Sequence, residues 1–402
     1  MISMEYLYKR IDELGNVITG KTPSTSVEEY YDGQFPFITP TDIPSFSEKY
    51  LPSTERTISN AGAKVLKSCL LPKGSICFVS IGSTIGKMCK VGVPSFSNQQ
   101  INSIIPFDKY DSDYLFYCLR YAKGYFQLIG GGTGSGKGIV NKTTFQKTRL
   151  FIIKEKDIQS KIATILNNYD QLIENNNKRI KLLEDMAESL YKEWFVRFRF
   201  PGYEKANAKF QSAKGWTYGD REEGQIIPKD WNFKELIEIA EFKRGKNITA
   251  SEMMEGDIPV IAAGLVPSGY HNKANVRGYN LTVSASGANA GYMTYHLEDI
   301  WAADCSYYQN DENLWFVYNA LKFLQPVISN MQIGSAQPHV YAKNINRLST
   351  IVPDKDLIKL FVKKVSAIYD EIKILKEKNE NLTKQRDSLL PRLMSGKLEV
   401  RN

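Results

Sequence analysis

Histidine is scarce in this sequence, three in 402 residues, and the three are widely spaced. His-based catalysis and His-rich metal binding therefore have little to work with. The five cysteines (Cys69, Cys77, Cys89, Cys118, Cys305) are odd in number and form no CxxC pair. That argues against a disulfide framework or a structural zinc site and fits a reducing cytoplasm. No run of about 18 apolar residues occurs, and the opening MISMEYLYKR has no apolar signal core, so neither a membrane nor a secreted protein is expected. Catalytic signatures are missing too: there is no [ND]PP[FYW] tetrapeptide, no GxGxxG after a clear strand, no GxSxG elbow and no HExxH.

Two near-matches fail on chemistry. The stretch GGTGSGKG (Gly131–Gly138) approaches a phosphate-binding loop, but Gly138 stands where the magnesium-binding hydroxyl belongs, and the β-branched IVNKTTF follows instead of a helix start. Pro353-Asp354 with Glu371 and Lys373 mimics a nuclease pattern, yet Glu371 and Lys373 flank Ile372 on a helical stripe and read as solvated flanks. No catalytic residue, metal ligand or cofactor site is expected in this chain.

What is present is an ordinary globular composition, 42% hydrophobic and 24% charged, long enough for two or three domains. The net charge of +8 permits an anionic partner. The sequence also repeats itself. At an offset of 200 residues, Ile158, Ile162, Ile165 and Leu172 fall on Ile358, Val362, Val365 and Ile372, Tyr169-Asp170 falls on Tyr369-Asp370, and Leu182 and Leu190 fall on Leu382 and Leu390. The preceding regions correspond more loosely. SIGSTIGK (Ser80–Lys87) parallels SASGANAGY (Ser284–Tyr292), with Gly82 and Gly86 on Gly287 and Gly291. TGKT (Thr19–Thr22) parallels RGKN (Arg244–Asn247), and FPFITPTDIP (Phe35–Pro44) parallels IPVIAAGLVP (Ile258–Pro267). A duplication explains this: a globular part, then a long helix, twice over.

Each helix carries a stripe at alternating steps of three and four. The second runs through Ile358, Phe361, Val365, Ile368, Ile372, Leu375, Leu382, Leu389 and Leu393, with Asn379 and Arg386 at its polar positions. The first runs through Ile158, Ile162, Ile165, Tyr169 and Leu172 or Ile173, breaks at Asn175–Asn177, and resumes at Ile180, Leu183, Ala187, Leu190 and Trp194 with a slip of phase. Two such helices, each about 40 residues and roughly 50–60 Å long, predict an antiparallel two-helix coiled coil. Its seam is assigned to Ile158, Ile162, Ile165, Leu172, Leu183, Leu190, Ile358, Val365, Ile372, Leu382 and Leu389. Asn176 and Asn379 are candidates for setting its register. The α+β architecture expected is residues 1–156 as a first mixed α/β domain, 157–200 as the central helix and 201–230 as a polar linker. Residues 231–356 form a second such domain and 357–396 the returning helix, with a pseudo-two-fold axis relating the halves.

Loops rich in Ser, Thr, Asn, Gln and Lys recur at comparable places on both globular parts. In the first they carry Lys21, Thr39, Thr41, Ser80, Ser83, Thr84, Lys87, Asn98, Gln99, Gln100 and Lys137. In the second they carry Arg244, Lys246, Ser284, Ser286, Asn289, Tyr292, Tyr307, Tyr308, Gln309, Ser335, Gln337 and His339. Asn and Gln can bond adenine with two hydrogen bonds, Arg and Lys can read guanine, and Ser, Thr and Lys can hold phosphates. Singly, each residue is more commonly a plain turn or surface residue. The signal is the recurrence.

Five segments then resemble the specificity subunit of type I restriction–modification systems: LLPKGSICFVSIGSTIGK (Leu70–Lys87), NQQINSIIP (Asn98–Pro106), DIQSKIATILNNYDQLIENNNKRIKLLEDMAESLYKEWF (Asp157–Phe195), IGSAQPHVYAKNINRLSTIVP (Ile333–Pro353) and LLPRLMSGKLEV (Leu389–Val400). The first half departs from the family pattern in carrying GGGTGSGKG where the second has GSAQP, and SASGANAGY lacks the Lys and Thr of its counterpart. The resemblance implies two target recognition domains, each reading one half of a split site in double-stranded DNA. It implies helices that fix the gap between the halves and dock two methyltransferase subunits, with restriction–translocation subunits completing a cytoplasmic complex. The chain itself would be non-catalytic; S-adenosylmethionine, ATP and magnesium would belong to the partners. The other reading is a duplicated coiled-coil scaffold that binds no DNA.

Overall fold

The computed structural model describes residues 5–43, 49–51, 53–131, 138–204, 210–212, 226–229, 231–309, 312–331 and 338–400. The chain divides into two compact units, Met1–Asn177 with Lys376–Asn402, and Lys178–Leu375. The division falls inside both long helices.

The first unit begins with β1 (Tyr6–Arg10), β2 (Gly15–Thr19), β3 (Tyr31–Ile38), β4 (Arg56–Ile58) and α1 (Asn60–Val65). Then come β5 (Ile76–Val79), β6 (Met88–Lys90), β7 (Phe96–Ser97) and β8 (Ile101–Pro106). Three short helices follow, α2 (Ser112–Tyr121), α3 (Lys123–Gly131) and α4 (Lys142–Lys147), then β9 (Arg149–Ile153) and the long α5 (Lys156–Tyr191). The strands form a four-stranded sheet in the order β2-β8-β5-β6, a three-stranded sheet β4-β3-β7 and a pair β1-β9. Local chemistry sets the helix starts: the Asp111 carboxylate accepts from the N–H groups of Asp113 and Tyr114, and Asn141 from that of Thr144.

The second unit holds β10 (Phe210–Ser212), β11 (Ile226–Pro228), β12 (Asn232–Glu235), β13 (Lys243–Arg244), β14 (Ile258–Ile261), β15 (Gly269–His271) and β16 (Asn280–Ser284). After these come β17 (Met293–His296), β18 (Trp301–Ala302), β19 (Cys305–Tyr308), α6 (Leu314–Phe323), α7 (Gln325–Ser329), α8 (Ala342–Asn346), β20 (Ser349–Val352) and α9 (Lys355–Met394). Three of its sheets, β13-β19-β16-β17, β15-β14-β18 and β12-β20, repeat strand for strand the order of the first unit, and the pair β10-β11 is additional. Even the parallel pairs coincide, β3 with β7 and β14 with β18, among otherwise antiparallel pairings. The mixed α/β duplication is thus a property of the fold as well as of the sequence.

Both helices pair antiparallel within each unit. In the first, the buried Arg386 ion-pairs with Asp170, and Asn176 donates to Asn379, which in turn donates to Asn177 (2.9 and 2.8 Å). In the second, Arg179 pairs with Glu371 at 3.0 Å, and Tyr191 packs edge-on against Phe361. The polar positions of the stripe are therefore register contacts, as a buried polar residue in a coiled coil commonly is. Pro391 lies within the last turn of α9, which runs on to Met394.

The seam needs two corrections. Leu172 is 51% exposed, whereas Ile173 is 5% exposed. With Ile173 in place the inward series Ile173, Asn176, Ile180, Leu183, Ala187 keeps its three–four alternation, so there is no slip of phase at the asparagines. Ile162, Ile358, Val365 and Ile372 are buried. Ile158, Ile165, Leu183, Leu190 and Leu389 are half-buried against the two cores, and Leu382 is half-buried.

Each unit locks its globular part to the helices differently. In the first, Asp113 of α2 takes Lys49 at 2.7 Å and Lys90 of β6, while its second oxygen accepts from Asn167 of α5 at 2.9 Å. Burial works against that charge, but the two ammonium groups outweigh it and hold the Asp113 carboxyl down to about 2. The Tyr117 hydroxyl donates to Asp170 beside Arg386. In the second unit the counterpart is aromatic: Trp315 of α6 stacks on Tyr369 of α9 at 3.6 Å, with Tyr295 and Tyr318 edge-on to Tyr369.

Candidate nucleic-acid interface

One end of the larger sheet in each unit gathers the polar loops, and it does so through the same main-chain bonds. In the first unit Gly20 N–H donates to Ile101 O (3.1 Å), Ser80 to Gln100 O (2.9 Å) and Asn98 to Ile38 O (3.1 Å). Gly82 donates to Gly138 O (2.8 Å), Gly86 to Val79 O (3.1 Å) and Val140 to Ser80 O (2.8 Å). In the second unit Gly245 donates to Cys305 O (2.8 Å), Ala285 to Asp304 O (3.3 Å) and Ala303 to Ile261 O (2.8 Å). Gly287 donates to Pro338 O (3.0 Å), Gly291 to Ser284 O (2.8 Å) and Val340 to Ala285 O (3.0 Å). Six bonds recur in register, so the loops after β2, β3 and β5, and those before β8 and α4, form one cluster. The loops after β13, β14 and β16, and those before β19 and α8, form its twin.

The glycines explain why the sequence repeat survives here. Gly82, Gly86, Gly287 and Gly291 all have positive φ (70°, 89°, 74° and 85°), which other residues adopt only with strain. Gly20 and Gly245 are needed for space: a Cβ would lie 2.2 Å from Asn98 O in the first and 2.4 Å from Ala303 O in the second. Gly20→Ala and Gly245→Ala should each cost about 1–3 kcal/mol, since backbone must shift, and urea unfolding of the full chain measures it. A loss within about 0.5 kcal/mol, the scale of an ordinary surface substitution, would show that these loops are free to move.

Within this frame the candidates divide. Lys21, Thr41, Ser83, Gln99 and Gln100 are exposed in the first cluster; Arg244, Lys246, Tyr292 and Gln309 are exposed in the second. Others serve the scaffold. Ser80 is buried and accepts from Asn102 Nδ2 at 2.8 Å, the Thr39 hydroxyl donates to Asp42 at 2.6 Å, and Lys87 Nζ donates to Ile43 O at 3.2 Å. Thr84 donates back to Ile81 O at 3.1 Å, and Asn98 Nδ2 donates to Gln100 Oε1 at 3.2 Å. In the second unit Ser284 and Asn289 both donate to Ala263 O (3.2 and 3.4 Å). Tyr308 is a core residue, stacked on Phe242 with its hydroxyl on Asn313, which removes it from the surface. Tyr307 and Gln309 line a cleft of about 490 Å3 with Lys243 and Asn275, and His339 stacks on Tyr341. Lys137, Ser335 and Gln337 lie outside the described residues.

Sequence reading missed Asp304, which pairs with Arg244 and accepts the Ser286 hydroxyl. Its signal was its place: Asp304 precedes β19 as Gln100 precedes β8. Among the described residues no group of three or more His, Cys, Asp or Glu could hold a metal. The five cysteines are buried free thiols, and burial pushes Cys305 up to about 12, far from a reactive thiolate. The arrangement offers hydrogen-bond donors and acceptors on loops, with cations among them.

A family model described as type I restriction modification DNA specificity domain matches residues 4–185 and 228–384. The chain is 28% identical to the type I restriction enzyme MjaIX specificity subunit of Methanocaldococcus jannaschii, over 99% of this chain and 95% of that one. It is 33% identical to the HindI specificity subunit of Haemophilus influenzae, over 44% of this chain and 39% of that one. In structure it is similar to the type I restriction–modification S subunit from M. genitalium, with a TM-score of 0.54, 17% identity, and coverage of 98% and 97%. At that identity the likeness is one of fold.

Proposed function

This chain belongs to the type I restriction–modification DNA specificity family, and on that footing we propose that each of its units reads one half of a two-part site in double-stranded DNA. It is a DNA sequence-specificity subunit and non-catalytic. The observation that carries the two-part reading is the twin loop cluster: the same six main-chain bonds hold two different sets of exposed side chains. A shared scaffold with unlike readers is what two unlike half-sites require. The exposed Lys21 and Lys246 supply phosphate contacts and a salt-dependent share of affinity, while amides, hydroxyls and Arg244 face base edges.

The paired helices set the distance between half-sites and dock two methyltransferase subunits. Support for docking comes from apolar side chains left exposed along them: Leu172, Leu182, Met186, Leu360 and Ile374. Restriction–translocation subunits complete the complex, and S-adenosylmethionine, ATP and magnesium are bound by the partner subunits. The complex works on DNA in the cytoplasm; no helix among the described residues is long and apolar enough to cross a membrane.

A modification-sensitive sequence map of DNA tests this, comparing cells that carry the chain and its methyltransferase with cells lacking the chain. The expected result is a methylated motif in two parts with a fixed gap, lost with the chain. Identical maps would overturn the reading and leave the duplicated scaffold.

A further inference from the structure

In the second unit three side chains from three segments meet at the loop cluster. Arg244, ending β13, ion-pairs through Nη2 with one oxygen of Asp304, and the Ser286 hydroxyl donates to the other. The Arg244 side chain is 46% exposed and that of Asp304 29%. Both carboxylate oxygens are thus engaged while the guanidinium still faces solvent.

This arrangement has a chemical consequence. An arginine has five N–H donors, and holding one edge leaves the others aimed outward. Fixing the side chain in advance lowers the entropy lost on binding. A free carboxylate would repel DNA, but here its charge is matched by the cation it holds. Two parallel donors on a fixed guanidinium match O6 and N7 of guanine in the major groove, a pattern that no other base presents.

The first unit is an internal control. Gly20 on Ile101 and Gly245 on Cys305 put Thr19 at the position of Arg244. Ser80 on Gln100 and Ala285 on Asp304 put Gln100 at the position of Asp304. Thr19 turns its hydroxyl to Asn102 at 2.7 Å, and Gln100 is exposed. The same scaffold therefore presents amides in one half and a buttressed cation in the other.

We propose that Arg244 reads a guanine in the half-site recognised by the second unit, and that Asp304 is the positioning residue that holds it to that base. The proposal rests on the reading of each unit as the reader of one half-site. An ordinary surface ion pair would matter little to anything, and a phosphate contact would add affinity without sequence.

The test maps the methylated motif made by the complex with the wild-type chain, Arg244→Lys, Arg244→Ala, Asp304→Asn and Asp304→Ala, and measures DNA binding by the purified complex and urea unfolding of the chain. Lysine keeps the charge but loses the two-donor fork. The expected result is a fixed G·C pair in one half-site that becomes degenerate in Arg244→Lys, with discrimination there falling about 5- to 150-fold. The same position relaxes in both Asp304 variants. The other half-site and the gap stay as they are, which also reports that the variants fold. If every position stays sharp in Arg244→Lys while Arg244→Ala weakens all sequences equally and lowers the salt slope by about one, Arg244 is a phosphate contact and the proposal falls. If the Asp304 variants shift only the urea midpoint, the pair is structural and the proposal falls. A wild-type map without any two-part motif would instead overturn the reading beneath it.

Discussion

Asp170→Ala should destabilise the first unit by about 3–5 kcal/mol, the usual cost of leaving a buried charge without its partner. Arg386 is the charge left behind: its side chain is 1% exposed and that of Asp170 5%. Asp387 also touches the guanidinium, at 2.9 Å, but its own side chain is half in water and substitutes poorly. Removing both charges is a different matter, because an apolar pair of similar volume avoids desolvating either ion. The double variant Asp170→Ala with Arg386→Met should recover most of the loss. Urea unfolding of the full chain measures both, and a single substitution costing under about 1 kcal/mol would mean that water already reaches the pair. The Tyr117 hydroxyl, which donates to Asp170, links the pair to the recognition part. The variant should therefore also loosen α2 against α5, seen as faster hydrogen exchange at Leu115–Leu119.

The same position shows where sequence reading stopped. Tyr169-Asp170 and Tyr369-Asp370 match as letters, yet Asp170 faces inward in the first helix and Tyr369 in the second, with Asp370 exposed. One residue along a helix is a turn of about 100°. The two helices have kept the dipeptide and changed which of its members packs. That choice depends on the opposing chain, Arg386 in one unit and Trp315 with Tyr295 in the other, and no periodicity within a single helix encodes it. Leu172 was assigned to the seam for the same reason: it aligns with the buried Ile372 at offset 200, but the inward residue is Ile173.

The loop clusters were more legible, because glycine needs are local. Positive φ at Gly82 and Gly287, and the absence of room at Gly20 and Gly245, tie those letters to their places whatever the loops read. Side-chain roles were not legible at that level. Ser80, Thr39 and Lys87 have the composition of readers and are spent on the scaffold, and Tyr308 is core. Asp304 went unseen because an acid looks wrong beside DNA until its cation is in view.

Inserting four residues into each helix, after Asn177 and after Leu375, should lengthen the gap between half-sites by one or two base pairs. Both helices must change. An insertion in α5 alone would separate the contacts on either side of it, Asp170–Arg386 and Asn176–Asn379 before and Arg179–Glu371 after, since α9 would keep its length. Matched insertions preserve every one of them. Four residues add about 6 Å of helix and about 40° of rotation. DNA rises about 3.4 Å and turns about 35° per base pair. The rise therefore asks for about two more base pairs and the rotation for about one, close enough for the complex to accommodate. Seven residues make the contrasting case. They preserve the seam better, shifting it by only about 20°, but add about 10 Å, or three base pairs, which DNA turns by more than 100°. The seven-residue variant should fold as well as the wild type and yet lose methylation at any single gap. Methylation maps of both variants decide the matter: a gap unchanged by the four-residue insertions would mean that something other than the helices sets the spacing. A seven-residue variant as active as the four-residue one would mean that the readers are free to rotate about them.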